Sequence, residues 1–307
     1  MTTTLEQIID EVSMNLAGYT LQQDRTTHIT APINTLVSPS SNPTILSLAS
    51  TQSVGTGIYE IGEELFWIDS FDKVGKTATV APYGRGYLGS PAGLHDADSK
   101  VVISPTFPRH AIKRAINDTI GAFGASIMAV KTTTFTYNPV VNTYAFNNLN
   151  IKNILGMTWQ DIGPSKEWIP IRNWDFDSIG DSTTFGTGAQ TVTIGDAITA
   201  GRTVKVIYAT DPIPFTTNDQ DYVEQTGLPY STRDVAVLGA MYRLLSALDP
   251  ARAGANSPQA DETDNKRPFG SAQNATKQIY ALYTQRLQEE AKAQQANFPI
   301  RVHYSRR

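Results

Sequence analysis

Four amphipathic stripes are spread along this chain, and long β-prone stretches separate the first three, so no stripe has an apolar partner close by in sequence. Leu5, Ile8, Ile9, Val12 and Leu16 recur every three or four residues, with Thr4 and Gln7 spaced as a capping box and Gly18 as the stop. The next stripe, Ala111, Ile112, Ala115, Ile116, Ile120 and Phe123, follows Pro108 and ends at Gly124. A third starts at Ser231 with Asp234 and carries Val235, Leu238, Tyr242, Leu245 and Leu248. The fourth, from about Ser271 to Ala293, carries Ala275, Ile279, Leu282, Tyr283, Arg286 and Leu287. A helix as short as the first cannot hold its apolar face in water alone, so the stripes are expected to meet in space.

Between the helices, short β-branched and aromatic runs alternate with turn residues. In the first stretch these are Ile45 to Leu48, Gly57 to Ile61, Leu65 to Ile68, Thr77 to Ala81 and Val101 to Ile103, a number that suits a small barrel. In the second they are Thr133 to Tyr137, Thr143 to Phe146, Trp168 to Ile171, Thr191 to Ile194 and Thr203 to Ala209, which suits a sandwich. The expected fold is therefore α+β: a small helical bundle platform interrupted by two β insertions, one barrel-like and one sandwich-like. The boundaries are a first platform helix in 1–27, a barrel-like insertion 28–104, a platform helix in 105–130 and a sandwich-like insertion 131–227. Two further platform helices lie in 228–295 around a proline-bearing, acidic loop 249–270, and 296–307 form a C-terminal tail.

Within the first β stretch, Gly84, Gly86, Gly89 and Gly93 are interleaved with Pro82 and Pro91, a composition that demands turns. Gly84, Gly86 and Gly89 also spell the glycine spacing of a dinucleotide site. That site needs its third glycine to open a helix, and here Pro91 and Gly93 follow with no helical periodicity. The order Arg85-Gly86, Gly89-Ser90, His95, a short acidic loop, a strand and then the Pro108–Phe123 helix resembles the head-to-tail connector, or adaptor, proteins of tailed bacteriophages. Gly89-Ser90 stands where that family commonly has Gly-Thr. The resemblance covers the first helix, the first β stretch and the second helix, and thins in the second β stretch.

The resemblance implies a structural virion protein of the phage neck. It would be a homo-oligomeric ring, usually of twelve, that joins the portal protein to a downstream neck or tail protein and lines the DNA channel, after assembly in the host cytoplasm. Arg85, Gly86, Gly89 and His95 would be structural motif residues. The basic face of the second helix, Arg109, Lys113 and Arg114, would be the DNA-facing candidate. Phe298, Ile300, Arg301, Val302, Tyr304, Arg306 and Arg307, an apolar alternation with a basic end, would be the portal-docking candidate, adding an extended segment to a partner surface.

The chemistry of the residues points away from an enzyme. There is no cysteine, which excludes disulfides, thiolate metal sites and thiol nucleophiles. His28, His95, His110 and His303 are scattered without metal-ligand spacing, and no nucleophile elbow or phosphate loop occurs. The expectation is no cofactor and no metal. Arg85 is expected to satisfy backbone carbonyls or to pair with Asp96 or Asp98, and His95 to be hydrogen-bonded within a tight β turn or packed against the following strand. Asp69, Asp72, Asp175, Asp177 and Asp181 are acids of a kind any loop-rich β protein carries.

Trp159, Trp168 and Trp174, with Tyr137 and Tyr144, support an alternative, a tail or baseplate protein that binds host carbohydrate, although core packing explains them better. A net charge of −4 is not that of a strong nucleic-acid binder, though it leaves room for transient, non-specific DNA contact. The first residues lack the basic and apolar regions of a secretion signal and no run is long enough to span a membrane, so the protein is expected to avoid both translocon and membrane.

Overall fold

The computed structural model describes residues 2–19, 24–38, 43–124, 126–147, 149–162, 166–247 and 271–298. The chain is α+β and divides into two compact units. One comprises Glu6–Ile116 and Val237–Tyr280, the other Met1–Leu5, Asn117–Ala236 and Ala281–Arg307. The expected loop 249–270 lies outside the described residues.

The helices are α1 (Leu5–Ala17), α2 (Arg109–Phe123), the single turn α3 (Ser182–Phe185), α4 (Tyr222–Thr226), α5 (Arg233–Ser246) and α6 (Ser271–Asn297). The stripes of α1 and α2 are buried as their spacing requires, from Leu5 to Leu16 and from Ile112 to Phe123. On α5 the covered face is broader than the expected stripe. Ala236, Val237, Ala240 and Met241 are buried along with Val235 and Leu245, while Leu238 and Tyr242 are half-buried.

On α6, Ile279 is buried, but Leu282 is exposed, contrary to the expected stripe. Polar side chains occupy much of its inner face: Arg286 bonds Asp234 of α5 at 2.8 Å, and Gln294 grips both backbone groups of Met128 at 3.0 and 2.6 Å. The helix also runs to Asn297, beyond the expected end. A turn from Tyr230 to Thr232 precedes α5, so the regular helix starts two residues after the expected Ser231.

The first β insertion is a six-stranded antiparallel sheet of β1 (Arg25–His28), β2 (Ile45–Ser47), β3 (Gly57–Ile61), β4 (Glu64–Asp72), β5 (Thr77–Val80) and β6 (Lys100–Ile103), in the order β1-β6-β3-β4-β5-β2. Its edge strands meet through an Ile29–Leu48 bridge. The Thr30 N–H donates to the Ser47 carbonyl at 2.7 Å and the Ala49 N–H to the His28 carbonyl at 2.9 Å, which closes the sheet into a small barrel and removes its edges. Ile29, Leu46, Tyr59, Ile61, Phe66, Ile68, Val80 and Val101 fill its interior.

The second insertion is two-sheeted. β7 (Ala129–Thr136), β8 (Thr143–Phe146), β9 (Asn153–Gln160), β10 (Trp168–Pro170), β11 (Trp174–Asp177), β12 (Gln190–Ile194) and β13 (Thr203–Thr210) form one sheet ordered β10-β9-β13-β7 and another ordered β11-β12-β8. Phe146, Ile154, Met157, Val192, Ile194, Val204 and Val206 from both sheets share one core, as in a sandwich. β1, β9 and β11 are absent from the expected strands. β9 interrupts its apolar run with Gly156 and shifts register opposite Ile207–Tyr208, an irregularity that hides its alternation.

Candidate functional site

β3 and β4 are joined at the Ile61–Glu64 pair by Gly62 and Glu63, and Gly62 takes φ 63°, which a side chain would strain. This hairpin carries three carboxylates within five residues, Glu60, Glu63 and Glu64, each committed to a different neighbour.

Glu64 is the buried centre of the motif. Its side chain is 1% exposed and that of Arg85 2%, and the guanidinium meets the carboxylate in two bonds, Nε to Oε1 at 2.6 Å and Nη2 to Oε2 at 2.8 Å. His95 Nε2 lies 2.8 Å from Oε2, and the Gly86 and Gly93 N–H groups donate to the same carboxylate at 3.2 and 2.9 Å. Burial by itself would raise the Glu64 pKa. The bonds from Arg85, His95 and Gly93 outweigh it and hold the group down at about 2, so it is ionised at any ordinary pH.

The Arg85 guanidinium also donates to the Thr35 carbonyl and, at 2.6 Å, to that of Gly93. It lies over the Phe66 ring, 4.8 Å from the centroid. Arg85 thus reaches two carbonyls as expected, but its acid is Glu64 on β4 rather than Asp96 or Asp98, and the His95 ring bonds that same Glu64 rather than a group of its own turn. Gly86 (φ 62°) and Gly89 (φ 78°) both occupy the left-handed turn conformation that the sequence implied.

The loop that carries Arg85, and chain next to it, expose several large apolar side chains. Ile33 pairs with His95, and the adjoining strands of chain present Leu36, Val37 and Leu94 to solvent. The Tyr83 N–H donates to the Ser38 carbonyl at 2.6 Å. Tyr83 is 77% exposed, Leu88 65% and Leu94 64%, and both Tyr83 (φ 57°) and Leu88 (φ 55°) sit in left-handed conformations that large side chains rarely adopt. From Ala81 to Leu94 the one charged residue is Arg85, and it faces inward.

No family model matches this chain, and no curated protein matches it.

The basic face of α2 is not the free patch that its spacing suggested. Arg109 pairs with Glu6 and, at 2.8 Å, with Asp10 of α1, while Lys113 pairs with Glu63 at 3.1 Å. Arg114 is exposed and makes no ion pair among the described residues. Phe298 is half-buried against its own chain, lining a cleft of about 310 Å³ with Ile127, Val130, Leu228 and Pro229, so it is not the free anchor expected of a docking tail. Ile300, Arg301, Val302, Tyr304, Arg306 and Arg307 lie outside the described residues. Trp159 and Trp174 pack on the sandwich core, and Trp168 is partly covered by the Lys205 ammonium, 4.4 Å from its ring centre. Among the described residues no cluster of three acids or histidines could hold a metal, and no helix is long and apolar enough to cross a membrane.

The three hairpin glutamates went unnoticed in the sequence. Their one signal is a pair of adjacent acids inside an aromatic, β-branched run, Tyr59-Glu60-Ile61-Gly62-Glu63-Glu64-Leu65-Phe66-Trp67, where solvent-facing positions alone do not account for three charges.

Proposed function

We propose that this chain is a structural subunit of a tailed-phage neck, forming a closed ring that joins the portal to the tail around the DNA channel. The observation that carries the reading is the apolar surface mounted on the Arg85–Glu64 node. The motif that resembles the connector family's spends its polar atoms on internal bonds and leaves Tyr83, Leu88 and Leu94 displayed, the arrangement of a rigid protein-contact surface rather than of a reaction centre. An uncharged surface offers nothing to phosphate and suits contact with further copies, the portal or the next neck protein. DNA contact in such a ring is transient and non-specific, and the particle is the virion, assembled in the host cytoplasm.

Closed rings repeat one head-to-tail interface. Native mass spectrometry and negative-stain imaging of the purified protein test this reading directly. The expected result is a ring, alone or on portal-bearing capsids, that is weakened by Tyr83→Ser with Leu88→Ser. A monomer that neither forms rings nor binds such capsids overturns it.

A further inference from the structure

Glu60 is a buried carboxylate with no salt-bridge partner among the described residues. On β3 it points away from the barrel interior, because its neighbours Tyr59 and Ile61 fill that interior and side chains alternate along a strand. Yet the residue is only 3% exposed, since the first turn of α2 covers it. Its bond is from the backbone N–H of Arg109, the first residue of α2, which donates to Oε2 at 3.0 Å. Two cations of α2 near it pair with other acids: the Arg109 guanidinium with Glu6 and Asp10, and the Lys113 ammonium with Glu63 one turn further on. No salt bridge reaches Glu60 among the described residues. A carboxyl in that position relieves the cost of burial either by binding a proton or by gaining water.

We propose that the contact of Glu60 with the first turn of α2 is a proton-closed joint between the barrel and the helix, held shut while Glu60 is protonated and loosened when it ionises. The charged groups around it are Arg109 on α2, Asp24 ahead of β1 and Lys100 on β6. Burial pushes the Glu60 pKa up, the Arg109 N–H and guanidinium pull it down, Asp24 raises it and Lys100 lowers it, leaving it at about 7. An opened joint exposes the carboxyl to water and returns it toward 4.5. The opened form is the stronger acid, so rising pH favours opening and falling pH favours closure, over the window from 4.5 to about 7 and just above. Glu64, four residues on, stays ionised throughout, so one hairpin carries a fixed charge toward the Arg85 loop and a switchable one toward α2.

Amide hydrogen exchange at Arg109, whose N–H donates to Glu60, tests the joint in the intact protein. Corrected for the intrinsic exchange rate, the opening equilibrium of the wild type should rise about tenfold between pH 6 and pH 8, and Glu60→Gln, a neutral side chain of the same shape, should abolish the rise. A pH-independent opening in the wild type overturns the proposal, as does an equal rise in Glu60→Gln. If Glu60→Gln fails to fold, a carbon-detected titration of the wild-type Glu60 carboxyl decides: an inflection near 7 supports the joint, and one at the ordinary glutamate value refutes it.

Discussion

Replacing Glu64 by glutamine removes one charge from the centre of the barrel motif and keeps the shape of the side chain. Arg85 then stays buried with its charge unanswered, a situation that costs about 3–5 kcal/mol when one partner of a buried pair is lost. An independent route gives a similar figure. Glu64 lies at about 2 against an ordinary 4.5, and a depression of that size corresponds to about 3 kcal/mol of stability at neutral pH.

The sign is that of a depressed acid: the stabilisation is fully present above 4.5 and is lost as the pH falls toward 2. Urea unfolding followed by tryptophan fluorescence suits the measurement, because Trp67 on β4 stacks against Tyr87 of the motif loop with centroids 5.2 Å apart. At pH 7, Glu64→Gln should destabilise the barrel by about 3 kcal/mol, and the loss of stability between pH 4.5 and 2 should be smaller in the variant than in the wild type. A Glu64→Gln protein within about 1 kcal/mol of the wild type at pH 7, with an unchanged acid limb, would refute the account of the node as a buried, mutually dependent pair.

Gly86→Val should cost the barrel about 2–4 kcal/mol in the same urea assay, because the residue takes φ 62° and an added Cβ would lie 2.9 Å from the Ser90 carbonyl oxygen; wild-type stability would contradict this. Leu88→Gly should leave thermal stability equal or raised by about 1 kcal/mol, since φ 55° suits glycine, and should weaken ring formation on native mass spectrometry; a clear loss of melting temperature would mean that Leu88 packs in the fold. Gln294→Ala should free the backbone groups of Met128 and speed amide exchange there several-fold while the barrel amides stay unchanged, and equal protection at Met128 would show that another group takes over the clamp.

The stripes of α1 and α2, most of the strands and the left-handed glycines at 86 and 89 were all legible in the sequence, because helical spacing, β alternation and the steric freedom of glycine are local properties of consecutive residues. What the polar residues do was not. Arg85 has Asp96 and Asp98 close behind it in sequence, yet its acid is Glu64, 21 residues earlier, brought there by β4 and the return of the motif loop. Arg109 and Lys113 read as a free basic face until α1 and the β3–β4 hairpin supply Glu6, Asp10 and Glu63. Ile279 and Leu282 are equally apolar on one helix, and only the neighbours of α6 select the first for burial. Periodicity is written into the chain itself. Which face is covered, which charge meets which, and whether a glutamate such as Glu60 keeps its proton depend on elements far apart in sequence, and their approach exists only once the barrel has closed and α2 has settled on its hairpin.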